Sequence, residues 1–256
     1  MFIPLHDSNG LKHIRTQYVT ITLIVMNVVI WLITGPLIGE QAAMRTATGL
    51  GFIPAVAFDY AVLEPSLVLV PADATYITYA FLHADIFHLG SNMLFLWVFG
   101  DNVEDALGHV RFLIFYLACA AAGALMHGLL MPTSQGPLIG ASGAVSGVIA
   151  AYVILHPRVR VWVLVLFRIP LPLPAWIPLL LWIGQQFVML VLDTSGNVSW
   201  GAHVGGILAG GLLVPLMRRR GVPLFDRTIV TPQAVETKKP AAIPVNGKGP
   251  WGDRRG

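Results

Sequence analysis

The feature that most constrains this chain is a series of six apolar stretches. A helix needs about 20 mostly apolar residues to cross the hydrocarbon core of a bilayer. Each stretch meets or approaches that length, so we predict an all-α polytopic membrane protein whose membrane domain covers residues 18–217. The predicted spans, numbered one to six, are Tyr18–Leu37, Ile77–Phe99, Val110–Met131, Leu138–Leu155, Ala175–Leu192 and Val198–Met217.

The composition agrees with burial in a lipid bilayer. Only 11% of the 256 residues are charged and 55% are hydrophobic, whereas an ordinary soluble domain has about 25% charged residues. So few charges cannot cover so much apolar surface in water. This balance argues against a soluble globular protein, a disordered chain and a nucleic-acid-binding protein. The single cysteine, Cys119, excludes an internal disulfide and a thiolate metal cluster.

The lysine and arginine residues predict the orientation of the spans. With a cytoplasmic N-terminus, fifteen of the 16 basic residues fall inside and only Arg45 falls outside. Basic residues accumulate in cytoplasmic loops, so we predict that both termini lie inside. Spans two, four and six then run parallel, from the outer face to the inner face.

Four segments are predicted to lie outside the spans. Residues 1–17 form a cytoplasmic segment without the apolar core of a signal peptide. The outer loop, at about 38–74, is acidic on balance and is expected to lie partly in the membrane interface. The stretch 161–174 is apolar but rich in proline, which favours an interfacial or re-entrant segment. Residues 218–256 are expected to form a disordered, basic cytoplasmic tail.

The few polar side chains within the predicted spans concentrate on the parallel spans two, four and six. Polar groups in hydrocarbon are costly and usually functional. Ser142 and His203 each follow the outer end of their span by about five residues, which is a depth of roughly 7 Å at the rise of an α-helix. His88 and Asn92, one turn apart on span two, lie at comparable depth. Residues at equal depth on parallel helices can meet.

Glycines beside the serine and the histidine predict close contact between spans four and six. Gly143 and Gly147 follow the serine, and Gly206 and Gly210 follow the histidine, so that each span carries a GxxxG pattern. Such patterns let helix backbones approach closely. Ordinary helix packing uses the same pattern, so the glycines alone do not indicate catalysis. The serine and the histidine at matched depth do favour it.

A serine and a histidine in contact can perform nucleophilic catalysis. The hydroxyl becomes a good nucleophile when a neutral imidazole accepts its proton. Spans four and six carry no acidic residue near the pair, which predicts a dyad without an acid to orient the ring. His88, Asn92 and the backbone N–H of Ser142 are candidates to stabilise the oxyanion.

Three motifs resemble those of the rhomboid intramembrane serine proteases. Span two contains FLHADIFHLGSN, similar to the family's His-x4-His-x3-Asn pattern. Span four contains GASG, similar to GxSG, and span six contains AHVGGILAG, similar to Ala-His-x2-Gly-x3-Gly. The resemblance covers residues 76–210 approximately. It implies a six-span rhomboid-like bundle of the bacterial type, a protease without metal or cofactor, and substrates that are membrane proteins with one span.

The resemblance also implies a role for each residue of the motifs. Ser142 matches the nucleophile and His203 the general base, while His88 and Asn92 match the oxyanion-stabilising side chains. His83 matches a structural or water-holding position. The other supporting positions are Gly140, Gly143, Gly206, Gly210 and Glu104, the last of these a structural residue at the inner end of span two with Arg111 as its expected partner.

Two positions depart from the family pattern. The outer loop has no tryptophan, whereas better-studied bacterial members carry a Trp-Arg pair there, so the embedding of this loop is open. One turn after the nucleophile, some members have an aromatic residue that stacks on the catalytic histidine. Here that residue is Ser146, which leaves the positioning of His203 open.

Other interpretations remain at this point. His83, His88 and His203 are possible zinc ligands, although no HExxH motif accompanies them. A catalytically silent family member would bind and escort membrane proteins, and a small transporter would need buried acids or repeats. His127 and Cys119 are expected to be packed in the core, and the glutamines of span five to hydrogen-bond between helices. The short loops favour a bacterial inner membrane.

Overall fold

The computed structural model describes residues 2–165, 168–193 and 198–226. Within these ranges the chain is mostly helical and contains one small antiparallel sheet, with strand order β1-β2-β3. The strands are β1 Phe2–Asp7, β2 Arg160–Val165 and β3 Ile169–Pro174. The α-helices of the described part are α1 Tyr18–Thr34, α2 Glu40–Leu50, α3 Pro54–Ala57, α4 Thr75–Thr78, α5 Ile86–Leu107, α6 His109–Leu130, α7 Ser142–Leu155, α8 Trp176–Leu192 and α9 Trp200–Met217.

Six of these helices, namely α1, α5, α6, α7, α8 and α9, each cover most of one predicted span. By length and composition, α6 and α9 are able to cross a membrane, and α5 joins them if the bent segment before it is counted with it. The remaining three, α1, α7 and α8, are apolar but shorter. The bundle of apolar helices agrees with the predicted class of fold, while the count of six spans and the orientation stay predictions.

Span two is the helix whose predicted start differs most from the structure. The chain is helical up to Phe81 and bends by 83° before α5. The Asp85 carboxylate begins α5 by accepting hydrogen bonds from the backbone N–H groups of Phe87 (2.8 Å) and His88 (2.9 Å), as an N-cap residue does. The helix then continues to Leu107, where Gly108, with a φ of 87°, separates it from α6. His83 therefore lies before the helix, not on it.

Glycines bring α7 and α9 into direct backbone contact. A Cβ added to Gly206 would lie 1.8 Å from the carbonyl oxygen of Gly143, and one added to Gly210 would lie 2.3 Å from that of Gly147. Because both contacts advance in the same direction along the two helices, α7 and α9 run parallel. Close contact between spans four and six is thus confirmed.

The sheet corrects the all-α expectation. The stretch 161–174, expected to be interfacial or re-entrant, forms most of the β2–β3 hairpin, and β1 from the N-terminal segment pairs with β2. The prolines of this stretch lie on β3, which is an edge strand. Proline has no backbone N–H and is confined to such edges, so the residues that argued against a spanning helix fit an edge strand.

Buried Glu104 attaches α5 to the start of α1. Its carboxylate accepts hydrogen bonds from the backbone N–H groups of Val19 (3.0 Å) and Thr20 (2.8 Å) and is fully buried. His109 also contacts it. The prediction that Arg111 is the partner of Glu104 is wrong, because the Arg111 guanidinium donates to the Met217 carbonyl oxygen instead.

The segment after α9 begins at the same end of the bundle as the N-terminal segment. The backbone N–H of Phe225 donates to the Ile154 carbonyl oxygen at 2.7 Å, and Lys12 forms an ion pair with Asp226 at 3.6 Å. Of the predicted disordered tail, residues 227–256 lie outside the described part of the chain.

Candidate active site

Ser142 is the first residue of α7 and is half-buried. It does not lie five residues inside a helix, as the hydropathy pattern predicted, because the segment 138–141 is not helical. Gly140 has a φ of 122°, and a Cβ at this position would lie 2.6 Å from Nε2 of His88. The first N–H groups of a helix have no partner within the helix and carry its positive dipole end. The serine hydroxyl therefore lies beside donors that favour a developing negative charge.

His203 lies in the first turn of α9 and is buried. Ser199 begins this helix, since its hydroxyl accepts a hydrogen bond from the Ala202 backbone N–H at 3.2 Å. The same hydroxyl is hydrogen-bonded to Nδ1 of His127 at 2.8 Å. His127, expected to be only a packed core residue, thus connects α6 to the start of the histidine helix.

The contact between α7 and α9 brings Ser142 and His203 to the same end of two adjacent helices. A Cβ on Gly143 would lie 3.2 Å from the carbonyl oxygen of Ala202, so the residues next in sequence to the pair touch each other. Across the described residues, however, no hydrogen bond joins the Ser142 hydroxyl to the His203 ring. Catalytic hydrogen bonds are often long without substrate and shorten in the substrate complex.

Both histidines of the His-x4-His-x3-Asn motif contact the turn that precedes Ser142. His83 Nε2 accepts a hydrogen bond from the Ala141 backbone N–H at 3.4 Å, and the rings of His83 and His88 lie 5.0 Å apart. His88 interacts electrostatically with His203. The Asn92 amide donates to the His88 carbonyl oxygen at 3.0 Å and has a second N–H to offer.

Ser146 does not take the place of the aromatic residue found in some family members. Its hydroxyl donates to the Ser142 carbonyl oxygen at 2.6 Å, within its own helix. The aromatic contacts of His203 come from Trp182 of α8, which is stacked at 6.2 Å, and from Trp200, which meets it edge-on at 5.7 Å. Neither tryptophan was predicted from the sequence as part of the site. The contact with Trp182 depends on how α8 is rotated, whereas Trp200 lies three residues before His203 on α9, a spacing at which helix side chains are neighbours.

Gln186 is a further residue of the site. Its Oε1 lies 2.8 Å from Nδ1 of His203, and its side chain is buried. A hydrogen bond between helices was expected for the glutamines of span five, and Gln186 confirms it. Gln185 is exposed.

The zinc interpretation finds no support in the geometry of the described residues. Within them, no group of three histidine, cysteine, aspartate or glutamate side chains is arranged to hold a metal ion. His83 and His88 instead contact the turn before α7.

A cavity of about 460 Å³ adjoins the site on the side of the outer loop. It lies between the end of α1, α2 and the segment around His83, and its lining is mostly apolar. The bridge between Phe52 and Leu138 joins the outer loop to the chain that enters α7.

This bundle of apolar helices, with a serine and a histidine at the same end of two helices in glycine contact, is that of an integral membrane protein. Residues 74–220 match the family model of the Rhomboid domain, which is more than half of the chain. The chain belongs to the rhomboid family.

Curated relatives agree with this assignment. The chain is 35% identical over 137 residues to Rhomboid protein 1, mitochondrial, of Saccharomyces cerevisiae, covering 52% of this chain and 38% of the relative. It is 33% identical over 161 residues to RHOMBOID-like protein 12, mitochondrial, of Arabidopsis thaliana, covering 57% and 46%. Rhomboid protease GluP of Bacillus subtilis is 33% identical over 131 residues, covering 50% and 23%.

The chain therefore spans less than half the length of these relatives. Two of the three are mitochondrial proteins, so the comparisons do not support the expectation of a bacterial inner membrane. They support an integral membrane protein.

Proposed function

We propose that the protein is an intramembrane serine endopeptidase that hydrolyses peptide bonds in or next to the transmembrane segments of single-span membrane proteins. The observation that carries the proposal is the pairing of Ser142 and His203 at the same end of α7 and α9, on either side of the glycine contact between these helices. Membership of the rhomboid family supports it, as does the similarity to a relative whose name includes the word protease.

The reaction begins when His203 accepts the proton of the Ser142 hydroxyl through Nε2. The serine oxygen attacks the carbonyl carbon of the scissile peptide bond, and negative charge develops on the carbonyl oxygen. His203 then gives its proton to the leaving amine, which leaves an acyl-enzyme. A water molecule, deprotonated by the same ring, hydrolyses this ester and restores the serine.

Three kinds of donor are available for the oxyanion. The backbone N–H of Ser142 belongs to the free first turn of α7, the His88 ring lies against Gly140, and the Asn92 amide keeps one N–H unused in its own helix. Donors placed before the reaction stabilise the transition state without having to reorganise. The turn that holds Gly140 and Ala141 places the His88 ring beside the start of α7.

The peptide bond of a transmembrane helix must be released from its helix before a serine can reach it. A lipid-shielded cavity lined by protein can accept such an unwound backbone, because non-helical chain is tolerated at membrane depth only there. With both termini inside, α7 and α9 begin towards the outer face, so we expect cleavage near that face.

The deciding experiment compares the purified protein with two variants in detergent. A panel of single-span reporter proteins is incubated with wild type, Ser142→Ala and His203→Ala, and Ser66→Ala of the exposed outer loop is the matched serine control. We expect cleavage by wild type and by the control only. Labelling of Ser142 by a fluorophosphonate, absent in Ser142→Ala, tests activation of the serine without a substrate.

The alternatives make different predictions in the same assay. A catalytically silent family member would bind reporters without cleaving them and would not react with the fluorophosphonate. Cleavage that persists in Ser142→Ala would also contradict the proposal, because the nucleophile would then be another group.

A further inference from the structure

We infer that Gln186 is a positioning residue for His203: its side-chain carbonyl holds the Nδ1–H of the ring, which leaves Nε2 free to accept the proton of Ser142. This inference rests on the proposed function. It assigns to α8 the orienting role that an acidic residue has in Ser-His-Asp triads.

The orientation of the Gln186 amide follows from its two partners. Its Nε2 donates to the Trp182 carbonyl oxygen at 2.9 Å, and its Oε1 faces His203 Nδ1 at 2.8 Å. A backbone carbonyl oxygen can only accept a hydrogen bond, so the NH2 end of the amide must point to Trp182. The oxygen end then faces the histidine ring.

The tautomer of His203 follows from the amide orientation. The Oε1 atom can only accept a hydrogen bond, so Nδ1 of the ring must carry the proton. A neutral imidazole with a proton on Nδ1 has an unprotonated Nε2. This is the form that a general base for Ser142 needs.

The ring plane of His203 is also held from α8 and from the start of α9. Trp182 lies one helical turn before Gln186, on the same face of α8, and stacks on His203 with an interplanar angle of 29°. Trp200 meets the ring edge-on at 88°, and its indole N–H donates to Asp193 at 2.8 Å. Two contacts therefore limit the tilt of the ring while Gln186 fixes its rotation.

A neutral amide suits this position better than a carboxylate would. Gln186 is only 2% exposed, and a buried charge needs a partner and further hydrogen bonds to offset its desolvation. The amide orients the ring and places no charge in the bundle. It also compensates for Ser146, whose hydroxyl is bound to its own helix.

The first test removes the acceptor while it keeps the volume of the side chain similar. Gln186→Leu is compared with Gln185→Leu, the same change at the exposed neighbouring position. We expect Gln186→Leu to lower kcat and the rate of Ser142 labelling by about tenfold or more, because the base loses its preferred tautomer. KM should not change, and Gln185→Leu should behave as wild type.

The second test keeps the acceptor and adds a negative charge. In Gln186→Glu, a carboxylate next to Nδ1 stabilises the protonated ring, so a higher pH is needed to free the base. We expect the acidic limb of the pH–rate profile to move up by about one pH unit or more. Among the described residues, His88 of α5 is a titratable residue that interacts electrostatically with His203, and it is unchanged in both variants.

The outcomes separate this inference from the proposed function. If wild type neither cleaves a reporter nor reacts at Ser142, the proposed function fails and takes the inference with it. If wild type is active but both Gln186 variants keep its kcat and pH profile, only the inference is wrong. A kcat loss in Gln186→Leu with an unshifted Gln186→Glu profile would likewise overturn it, because Gln186 would then serve packing alone. Should Gln186→Leu not fold, the Gln186→Glu profile decides.

Discussion

At the scale of single residues, the turn before Ser142 is set by a glycine that no other residue can replace without strain. Gly140 has a φ of 122°, and its Cα faces the His88 ring. Side chains with a Cβ rarely adopt this conformation. The same residue therefore fixes both the start of α7 and the approach of the His88 ring to the turn before Ser142.

We expect Gly140→Ala to impair activity and stability together. The new methyl group would lie 2.6 Å from His88 Nε2, and the strained backbone costs about 1–3 kcal/mol. The measurements are the rate of fluorophosphonate labelling and the midpoint of thermal unfolding. Gly136→Ala is the control, since its new Cβ would meet nothing closer than 3.9 Å. Equal labelling rates in the two variants would contradict the prediction.

The placement of Ser142 and His203 at the same end of two adjacent helices could be predicted from the sequence, but their surroundings could not. The glycines beside the two residues indicated the close contact between their helices, and the role of each residue stays a prediction. The contact between Gln186 and His203 depends on the rotation of α8, which its apolar pattern does not define. The late start of α7 was missed because residues 138–141 continue the apolar run while Gly140 turns the backbone.

At the scale of helices and strands, the glycine contact between α7 and α9 determines how close Ser142 and His203 lie to each other. We expect Gly206→Ala to push the helices apart, because the added Cβ would lie 1.8 Å from the Gly143 carbonyl oxygen. Overpacking of this kind costs about 1–3 kcal/mol, and separation of Ser142 from His203 should lower cleavage more than tenfold. Gly184→Ala on α8 has open space around its Cβ and should retain wild-type cleavage and unfolding temperature.

The small sheet is attached to the bundle through the half-buried carboxyl group of Asp7. Asp7 at the end of β1 accepts hydrogen bonds from the Tyr152 hydroxyl at 2.5 Å and from the Asn102 amide at 2.9 Å. Burial raises the pKa of Asp7 from 3.8 to about 6, although the hydrogen bond from Tyr152 opposes the rise. The folded chain therefore holds a proton on Asp7 more tightly than the unfolded chain does.

The stability that protonated Asp7 contributes should be complete below about pH 4 and lost as the pH rises through about 6. His156 opposes this trend, because burial lowers its pKa to about 4 and stability is lost as that group protonates. We therefore compare wild type with Asp7→Asn, which lacks the first effect and also lacks the charge that Asp7 exerts on nearby Asp101. The difference between their unfolding midpoints should change between pH 4 and pH 6, and a constant difference would show that Asp7 is not the titrating group.

Hydropathy could locate the helices but not the sheet or the bend. The method measures apolar content, and residues 161–174 are apolar in either a helix or a strand. The partner of β2 is β1, more than 150 residues away in sequence, and no local pattern specifies such a pairing. The bend before α5 was missed because Asp85, whose carboxylate starts the helix, is the single Asp, Glu, Lys or Arg residue in 77–99 and changes the mean hydropathy of that stretch little.

At the scale of the whole molecule, contacts gather three segments at one end of the bundle. β1 pairs with β2, which follows α7, and Lys12 pairs with Asp226, which follows α9. The predicted topology places these same segments on the cytoplasmic side. Their mutual contact agrees with an even number of membrane crossings between them. The contacts are the same in either orientation of the bundle, so the orientation is predicted from the distribution of lysine and arginine alone.

Cysteine labelling of intact cells tests that direction. Cys119 is buried and should not react, so single cysteines can be introduced at exposed positions in the natural background. We expect a membrane-impermeant maleimide to label Ser66→Cys of the outer loop in intact cells, and to label Arg158→Cys, between α7 and β2, only after permeabilisation. Both should react in detergent, which verifies that they are accessible. The reverse pattern would invert the bundle and place the cleavage site near the cytoplasmic face, and equal labelling of both in intact cells would contradict the six-span count.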